Sequence, residues 1–260
     1  MSRQRIAGIC IVAAVAALAL LSLVWTPYDP LRAEPAARLE GPSWAHLLGT
    51  DQFGRDIASR IMAGARVTLF AALGAVAASA VAGVPLGVWA GMRRGFVESA
   101  VMRLNDLALA FPALLLAIVF TAVFGAGIWV VVLAIGLAGI PGFARVARAA
   151  TLQVMSQDYI LAARLSRVPG PRIAARHVWP NIAPLVGVQV SVALALAILA
   201  ESGLSFLGLG APAPYASWGR MLQASQPYLA TDPHLALWPG LAIAVTVLGV
   251  NLIGGGRDQR

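Results

Sequence analysis

The sequence predicts an all-α integral membrane protein of about six transmembrane helices, and two observations carry this. Only 12% of the 260 residues are charged while 59% are hydrophobic. A soluble domain carries roughly 25% charged residues, so this chain has too little charge to coat a water-facing surface. The apolar residues also gather into runs long enough to cross a bilayer, with arginines at their ends.

Ile6 to Trp25 is a run of 20 residues without charge. At ~1.5 Å per residue it reaches ~30 Å, the thickness of the hydrocarbon core. Arg3 and Arg5 precede it, as they would a cleaved signal. Signal cores are about 7–15 residues long, so a retained first helix is expected. Tyr28 to Arg60 changes character: it holds Pro30, Pro35 and Pro42, charges of both signs and Trp44, and reads as a loop with one short surface helix.

Val67 to Met92 is the second span. Gly83, Gly87 and Gly91 fall on one face of it, a spacing that lets helices approach closely. Leu107 to Ala144 runs 38 residues without charge, too long for one helix. Gly125-Ala126-Gly127 divides it into a third and a fourth span. Arg145 to Arg176 holds six arginines against one acid, Asp158, and belongs outside lipid. Pro180 to Phe206 is the fifth span, with Glu201 inside it; Gly208 to Pro233 is a second Pro/Gly-rich loop; Leu235 to Gly256 is the sixth span.

Arginine counts orient these spans. One side holds Arg3, Arg5, Arg93, Arg94, Arg103, the six of 145–176, Arg257 and Arg260, 13 in all; the other holds Arg32, Arg38, Arg55, Arg60, Arg66 and Arg220, 6 in all. The richer side is expected to be cytoplasmic, with both termini inside. The net charge of +8 is then a membrane feature and not the mark of a nucleic-acid partner.

Composition also excludes chemistry. All 19 basic residues are arginine, so there is no lysine for a phosphate-binding loop or a Schiff base. Cys10 is the single cysteine, and His46, His177 and His234 are far apart in sequence, so neither a disulfide nor a spaced metal motif is expected. An intramembrane enzyme would need paired acids or a nucleophile beside a base. The acids within spans, Asp106 and Glu201, fall near opposite membrane faces. A self-sufficient secondary transporter would often show inverted repeats, and none is visible.

The segment Gln157 to Asn181 reads QDYILAARLSRVPGPRIAARHVWPN. Ser156 to Leu165 can form a short helix with a small-residue surface at Ala162 and Ala163. Pro169-Gly170-Pro171 forces a turn. Arg172 to Val178 can form a second short helix, and Pro180 can open the next span. Two short helices at nearly a right angle would project from the membrane as a knob, ringed by arginines.

This segment resembles the EAA loop of binding-protein-dependent ABC importer permeases. Leu48-Gly49-Thr50-Asp51-Gln52-Phe53-Gly54-Arg55-Asp56, Ala65-Arg66-Val67-Thr68-Leu69, Val84-Pro85-Leu86-Gly87, Phe111-Pro112-Ala113-Leu114-Leu115, the run Glu201-Ser202-Gly203-Leu204-Ser205-Phe206-Leu207-Gly208-Leu209-Gly210 and Ser217-Trp218-Gly219-Arg220-Met221-Leu222 are similar to motifs of the peptide/nickel subfamily. Together they extend over nearly the whole chain and are most like the C-type dipeptide or oligopeptide permease.

The resemblance implies a division into a first helix and external loop (1–63), a transmembrane core (64–256) with its coupling loop at about 155–178, and a cytoplasmic tail (257–260). It implies docking on ATPase subunits through Asp158, Tyr159, Ala162, Ala163, Arg164, Arg167, Gly170 and Arg172. The contact face is expected at Tyr159, Ala162 and Ala163, which share one side of a helix. Glu201 and Ser202, with Asp106, are candidates for the pathway or for a partner contact; Asp106 can also pair with Arg103. The resemblance further implies no cofactor in this chain, with ATP and Mg on the partner subunits. The other implied partners are a homologous second permease subunit, an external solute-binding protein docking near residues 49–60 and 208–233, and membrane lipid. The implied place is the bacterial cytoplasmic (inner) membrane, and the implied cargo a di- or oligopeptide, with nickel or another small solute as the alternative.

Two departures from the family pattern stand out. Arg167 occupies the position where that loop usually has glycine, so the turn is expected to be rebuilt around Pro169-Gly170-Pro171. The tail after Asn251-Leu252-Ile253-Gly254, continuing Gly255-Gly256-Arg257-Asp258, is shorter than usual.

Overall fold

The computed structural model describes residues 3–212 and 214–255. Gly256 and the tail 257–260, with Arg257 and Arg260 of the orientation count, lie outside the described residues. The regular secondary structure of the described residues is helical, apart from an isolated bridge between Thr50 and Asp56. Five helices are long and apolar enough to cross a membrane, and six crossings result if the bent pair is one span.

The first helix, α1, is Arg3–Leu21. The loop that follows is a cap tied together by hydrogen bonds, with a single 3-10 turn at Pro35–Ala37. Asp51 sits at its centre. Its Oδ1 accepts from the Phe53 and Arg55 amides at 2.8 and 3.0 Å, and its Oδ2 takes the Arg55 guanidinium at 2.7 Å and that of Arg60 at 3.4 Å. Asp56 caps the next helix: its Oδ2 accepts from the Ser59 amide at 2.8 Å, and its Oδ1 is 3.0 Å from His46 Nδ1. A cap of this type stabilises a helix by about 1 kcal/mol. The Leu48–Asp56 motif is therefore the fastening of this cap.

Helix α2 is Ile57–Arg93, 37 residues long. Its ~55 Å exceeds the bilayer core, so its first turns stand outside lipid, and it runs through the expected division at 63/64. Helix α3, Phe96–Ala110, and helix α4, Ala113–Phe124, are bent by 80°. The third span is thus not the single helix expected between Leu107 and Phe124. Pro112 withholds an amide donor and pushes Phe111 into extended backbone, with ψ of 121°. Helix α5 is Ile128–Met155, after the break at Gly125–Gly127.

Helix α6 is Asp158–Leu165. Helix α7, Gly170–Ile173, passes through a π turn at Ala174–Val178 into α8, Trp179–Phe206. The loop expected between Gly208 and Pro233 contains a further helix, α9, Trp218–Ser225, capped by the Ser217 hydroxyl. Helix α10 is His234–Gly255.

Helices α2 and α5 form the centre. A Cβ on Gly83 would lie 2.6 Å from the Ile140 carbonyl and 2.7 Å from Phe143 Cβ, one on Gly87 would lie 2.8 Å from Ala147 Cβ, and one on Gly91 would lie 2.8 Å from Thr151 Cβ. The glycine stripe of the second span is therefore a backbone-to-backbone seam. Ser79 Oγ adds an interhelical hydrogen bond of 2.7 Å to the Gly136 carbonyl. Around this pair, α8 packs on both members, and α1 packs on α10 through Gly8 and Gly249.

The seam sets the first prediction. Gly87→Val should lower the melting temperature in detergent, with a loss of about 3 kcal/mol from overpacking. Gly240→Ala faces open space and should be neutral or stabilising by up to about 1 kcal/mol. Equal melting of Gly87→Val and the unmodified protein would remove the seam from the account of stability.

Candidate functional site

The segment that projects from the span ends is built on one buried anchor and two half-buried supports. Ile160, 1% exposed, holds α6 down, and Ala163 and Val168 pack half-buried against the same core. Asp158 lies in the first turn of α6 and Arg164 in its last, charges that each suit the helix dipole. The exposed face carries Tyr159, Leu161, Ala162 and Leu165, at 44% for Tyr159, 58% for Leu161 and 77% for Leu165. Of the three residues of the expected contact face, Tyr159 and Ala162 are exposed, whereas Ala163 is half-buried against the core; Leu161 and Leu165, four residues apart, are exposed beside them.

The turn after α6 also differs from expectation. Arg167 has φ of +54°, the left-handed conformation that glycine usually supplies. The Val168 amide donates to the Ala163 carbonyl at 3.0 Å and the Arg167 amide to the Arg164 carbonyl at 2.9 Å. This pair of bonds is a Schellman motif, which closes the last carbonyls of a helix. The ordinary turn is therefore retained with arginine in it, and the rebuilding around Pro169-Gly170-Pro171 does not occur. Gly170 opens α7 and faces open space.

The second half of the knob is not a separate short helix. From Gly170 the chain winds without a break to Phe206. Pro180, expected to start the span, lies within it. The π turn immediately before it resolves the conflict. A proline ring in an unbroken α-helix collides with the carbonyl four residues earlier, here Arg176. In the wider turn the Trp179 amide donates to Ala174, five residues back, and makes room. The Tyr159 and His177 rings, with centroids 6.1 Å apart, tie α6 to this turn. Arg164, Arg167, Arg172 and Arg176 are exposed around it, and Asp158 is the single acid in the segment. The arrangement is a cationic knob with an apolar tip, rigidly continuous with α8 on one side and two residues from α5 on the other.

The remaining predicted residues lie elsewhere. Asp106 pairs with Arg145 at 2.9 Å, not with Arg103. Beside it Asn105 donates to the Pro141 carbonyl at 3.0 Å, and Glu98 pairs with Arg148, so α3 is fastened to α5. Glu201 and Ser202 are buried, far along the chain from the knob, among α2, α8 and α9. Glu201 therefore does not reach water at the interface. Ser217, like Glu201, is fully enclosed. Leu161, Leu165 and His177 escaped the sequence reading. The i, i+4 spacing of the two leucines was the available signal for them.

The family described as the binding-protein-dependent transport system inner membrane component matches residues 83–256. Relatives include the dipeptide transport system permease protein DppC of Alkalihalophilus pseudofirmus, 36% identical over 99% of this chain and 85% of that one. The glutathione transport system permease protein GsiD of Pectobacterium atrosepticum is 40% identical over 93% of this chain and 81% of its own. The nickel transport system permease protein NikC of Escherichia coli is 36% identical over 95% of this chain and 89% of its own. Among solved structures, a chain of the inward-facing MetNI methionine ABC transporter superposes with a TM-score of 0.63 at 16% identity, covering 74% of this chain and 92% of that one.

The left-handed arginine sets a second prediction. Arg167→Gly should stabilise the end of α6 by about 1 kcal/mol, slowing amide exchange in α6 about fivefold, while Gly170→Ala leaves it unchanged. Faster exchange in Arg167→Gly would show that the turn is held some other way.

Proposed function

This chain belongs to the family of binding-protein-dependent transport system inner membrane components, and from that premise we propose that it carries peptides and takes its drive through α6. It is a multi-pass permease subunit of an ABC importer. Peptide as cargo is supported by relatives of 36–40% identity named for dipeptide and peptide transport. Nickel is the second reading, favoured by a relative of 36% identity named for nickel.

The observation that supports coupling through α6 is its exposed apolar tip. Leu161 and Leu165 stand on a helix at the arginine-rich end, where no span covers them. Exposed leucines beside small Ala162 and aromatic Tyr159 suit a partner groove, and the surrounding arginines suit an acidic rim. Separate ATP-binding subunits, holding ATP and Mg, would supply that groove. In their closing stroke they push on α6. Ile160 passes the push to the core, the short Ser156–Gln157 link passes it to α5, and the Tyr159–His177 contact passes it to α8. Since α5 and α2 share a backbone seam, the central pair moves as a unit. A homologous second permease subunit completes the path, and an external solute-binding protein delivers cargo to the far side. The chain itself performs no covalent chemistry.

The test uses the purified chain and the complex with its ATP-binding subunits. Alone, the chain should hydrolyse no ATP. Ala162→Glu should release the ATP-binding subunits, because an unpaired charge buried at the contact costs about 3–5 kcal/mol, while the permease still inserts. Co-purification of Ala162→Glu at the unmodified yield would overturn the assignment of α6.

Orientation is tested by labelling. In a Cys10→Ser background, Ser166→Cys should react with an impermeant thiol reagent only from the cytoplasmic side and Tyr215→Cys only from the other. Both positions are exposed. Labelling of both from one side would refute the arginine-derived topology.

A further inference from the structure

The buried carboxyl of Glu201 has no part in the coupling argument, yet it lies where three elements meet. It is 2% exposed, on α8 and one turn before Ser205, whose hydroxyl donates to Oε1 at 2.7 Å. Ser205 is the one hydroxyl that hydrogen-bonds it among the described residues, while the hydroxyls of Thr68 on α2, of Ser202 on α8 and of Ser217 at the cap of α9 lie close by. Four hydroxyls from three elements thus converge on one acidic group.

The same junction is tight in its backbone. The Trp218 amide donates to Thr68 Oγ1 at 3.4 Å, and its indole nitrogen donates to the Ile61 carbonyl at 3.0 Å. A Cβ on Gly64 would lie 3.0 Å from the Trp218 ring, and one on Gly219 would run into the Ser202 backbone. Trp218 is 1% exposed. The start of α9 is therefore plugged between α2 and α8, and the Glu201 carboxyl lies against the plug. Its second oxygen and the Ser202 hydroxyl are buried without a hydrogen-bond partner among the described residues. A buried polar group left without a partner carries a desolvation cost, so its retention here calls for an explanation.

We propose that Glu201 is a positioning residue that clasps α9 to the adjoining ends of α2 and α8, so that the three move as one body during transport. The inference rests on the permease reading for its functional consequence. α2 carries the seam to α5, and α8 is continuous with the knob. A movement started at α6 would therefore reach α9, about a bilayer away, only while the clasp holds.

The experiment compares hydrogen exchange of the α9 amides and cargo transport in the complete transporter in lipid nanodiscs and proteoliposomes. Glu201→Leu should speed α9 exchange by about tenfold or more, the loss expected when a buried hydrogen-bonded acceptor is removed. The α10 amides should keep their rates, and transport should fall about tenfold while ATP hydrolysis continues. Glu201→Gln preserves shape and hydrogen-bonding capacity and should stay within about threefold of the unmodified exchange rate. If Glu201→Leu does not assemble, Glu201→Asp, which withdraws the carboxyl by one methylene and leaves the Ser217 cap and the Thr68–Trp218 bond in place, decides by the same readout. Unchanged α9 exchange in Glu201→Leu, or in Glu201→Asp where the Leu variant does not assemble, overturns the clasp. So does equal behaviour of the Gln and Leu variants. A complete transporter without cargo transport would instead fail the permease reading and leave the exchange comparison intact.

Discussion

The architecture depends on the seam between α2 and α5. Between these helices the contact surfaces are backbone atoms and single methyl groups, with Gly83, Gly87 and Gly91 against residues 140–151. In lipid, apolar side chains gain nothing by leaving solvent for one another, so helix association rests on close packing and interhelical hydrogen bonds. Glycine allows both, because it lets whole backbones touch and exposes carbonyls such as Gly136 to the Ser79 hydroxyl. The other spans are arranged around this pair. A seam this close leaves no room for a side chain larger than hydrogen at positions 83, 87 and 91.

The knob is held by local bonds as well as by packing. The turn that ends α6, just ahead of Pro169-Gly170-Pro171, is closed by a Schellman motif and anchored by Ile160. The π turn ahead of Pro180 keeps the helix continuous where proline would have broken it. Helix α6 therefore lies between the long helices α5 and α8. Polar fastenings recur at the periphery: Glu98 with Arg148 and Asp106 with Arg145 bind α3 to α5, and Asp51 with Arg55 and Arg60 binds the cap. Exposed pairs such as Asp106–Arg145 contribute little energy, on the order of 1 kcal/mol or less, yet they fix register. The Asp51 group is more enclosed and gathers backbone amides as well.

What the sequence by itself determined follows from solvent. Runs such as Ile6–Trp25 and Leu235–Gly256 must lie in lipid because of their length, and Arg145–Arg176 must not because of its charge; no tertiary contact can reverse either requirement. The family motifs and the stripe Gly83–Gly91 were legible for the same reason, since each is a local spacing. Tertiary structure decided the rest. Whether Pro180 begins a helix or lies inside one depends on a π turn that no single residue announces. Pro112 breaks its span while Pro141, Pro184 and Pro239 are carried inside helices, a difference that the prolines by themselves do not announce. Arg167 accepts a left-handed backbone because the bonds of Val168 and Arg167 to α6 hold it there, a strain that residue preferences alone argue against. Ala163 faces the core and Leu165 the outside because Ile160 sets the rotation of α6. Glu201 meets Thr68 and Ser217 only through folding, since residues 133 and 16 positions apart in the chain become neighbours when α9 plugs between α2 and α8.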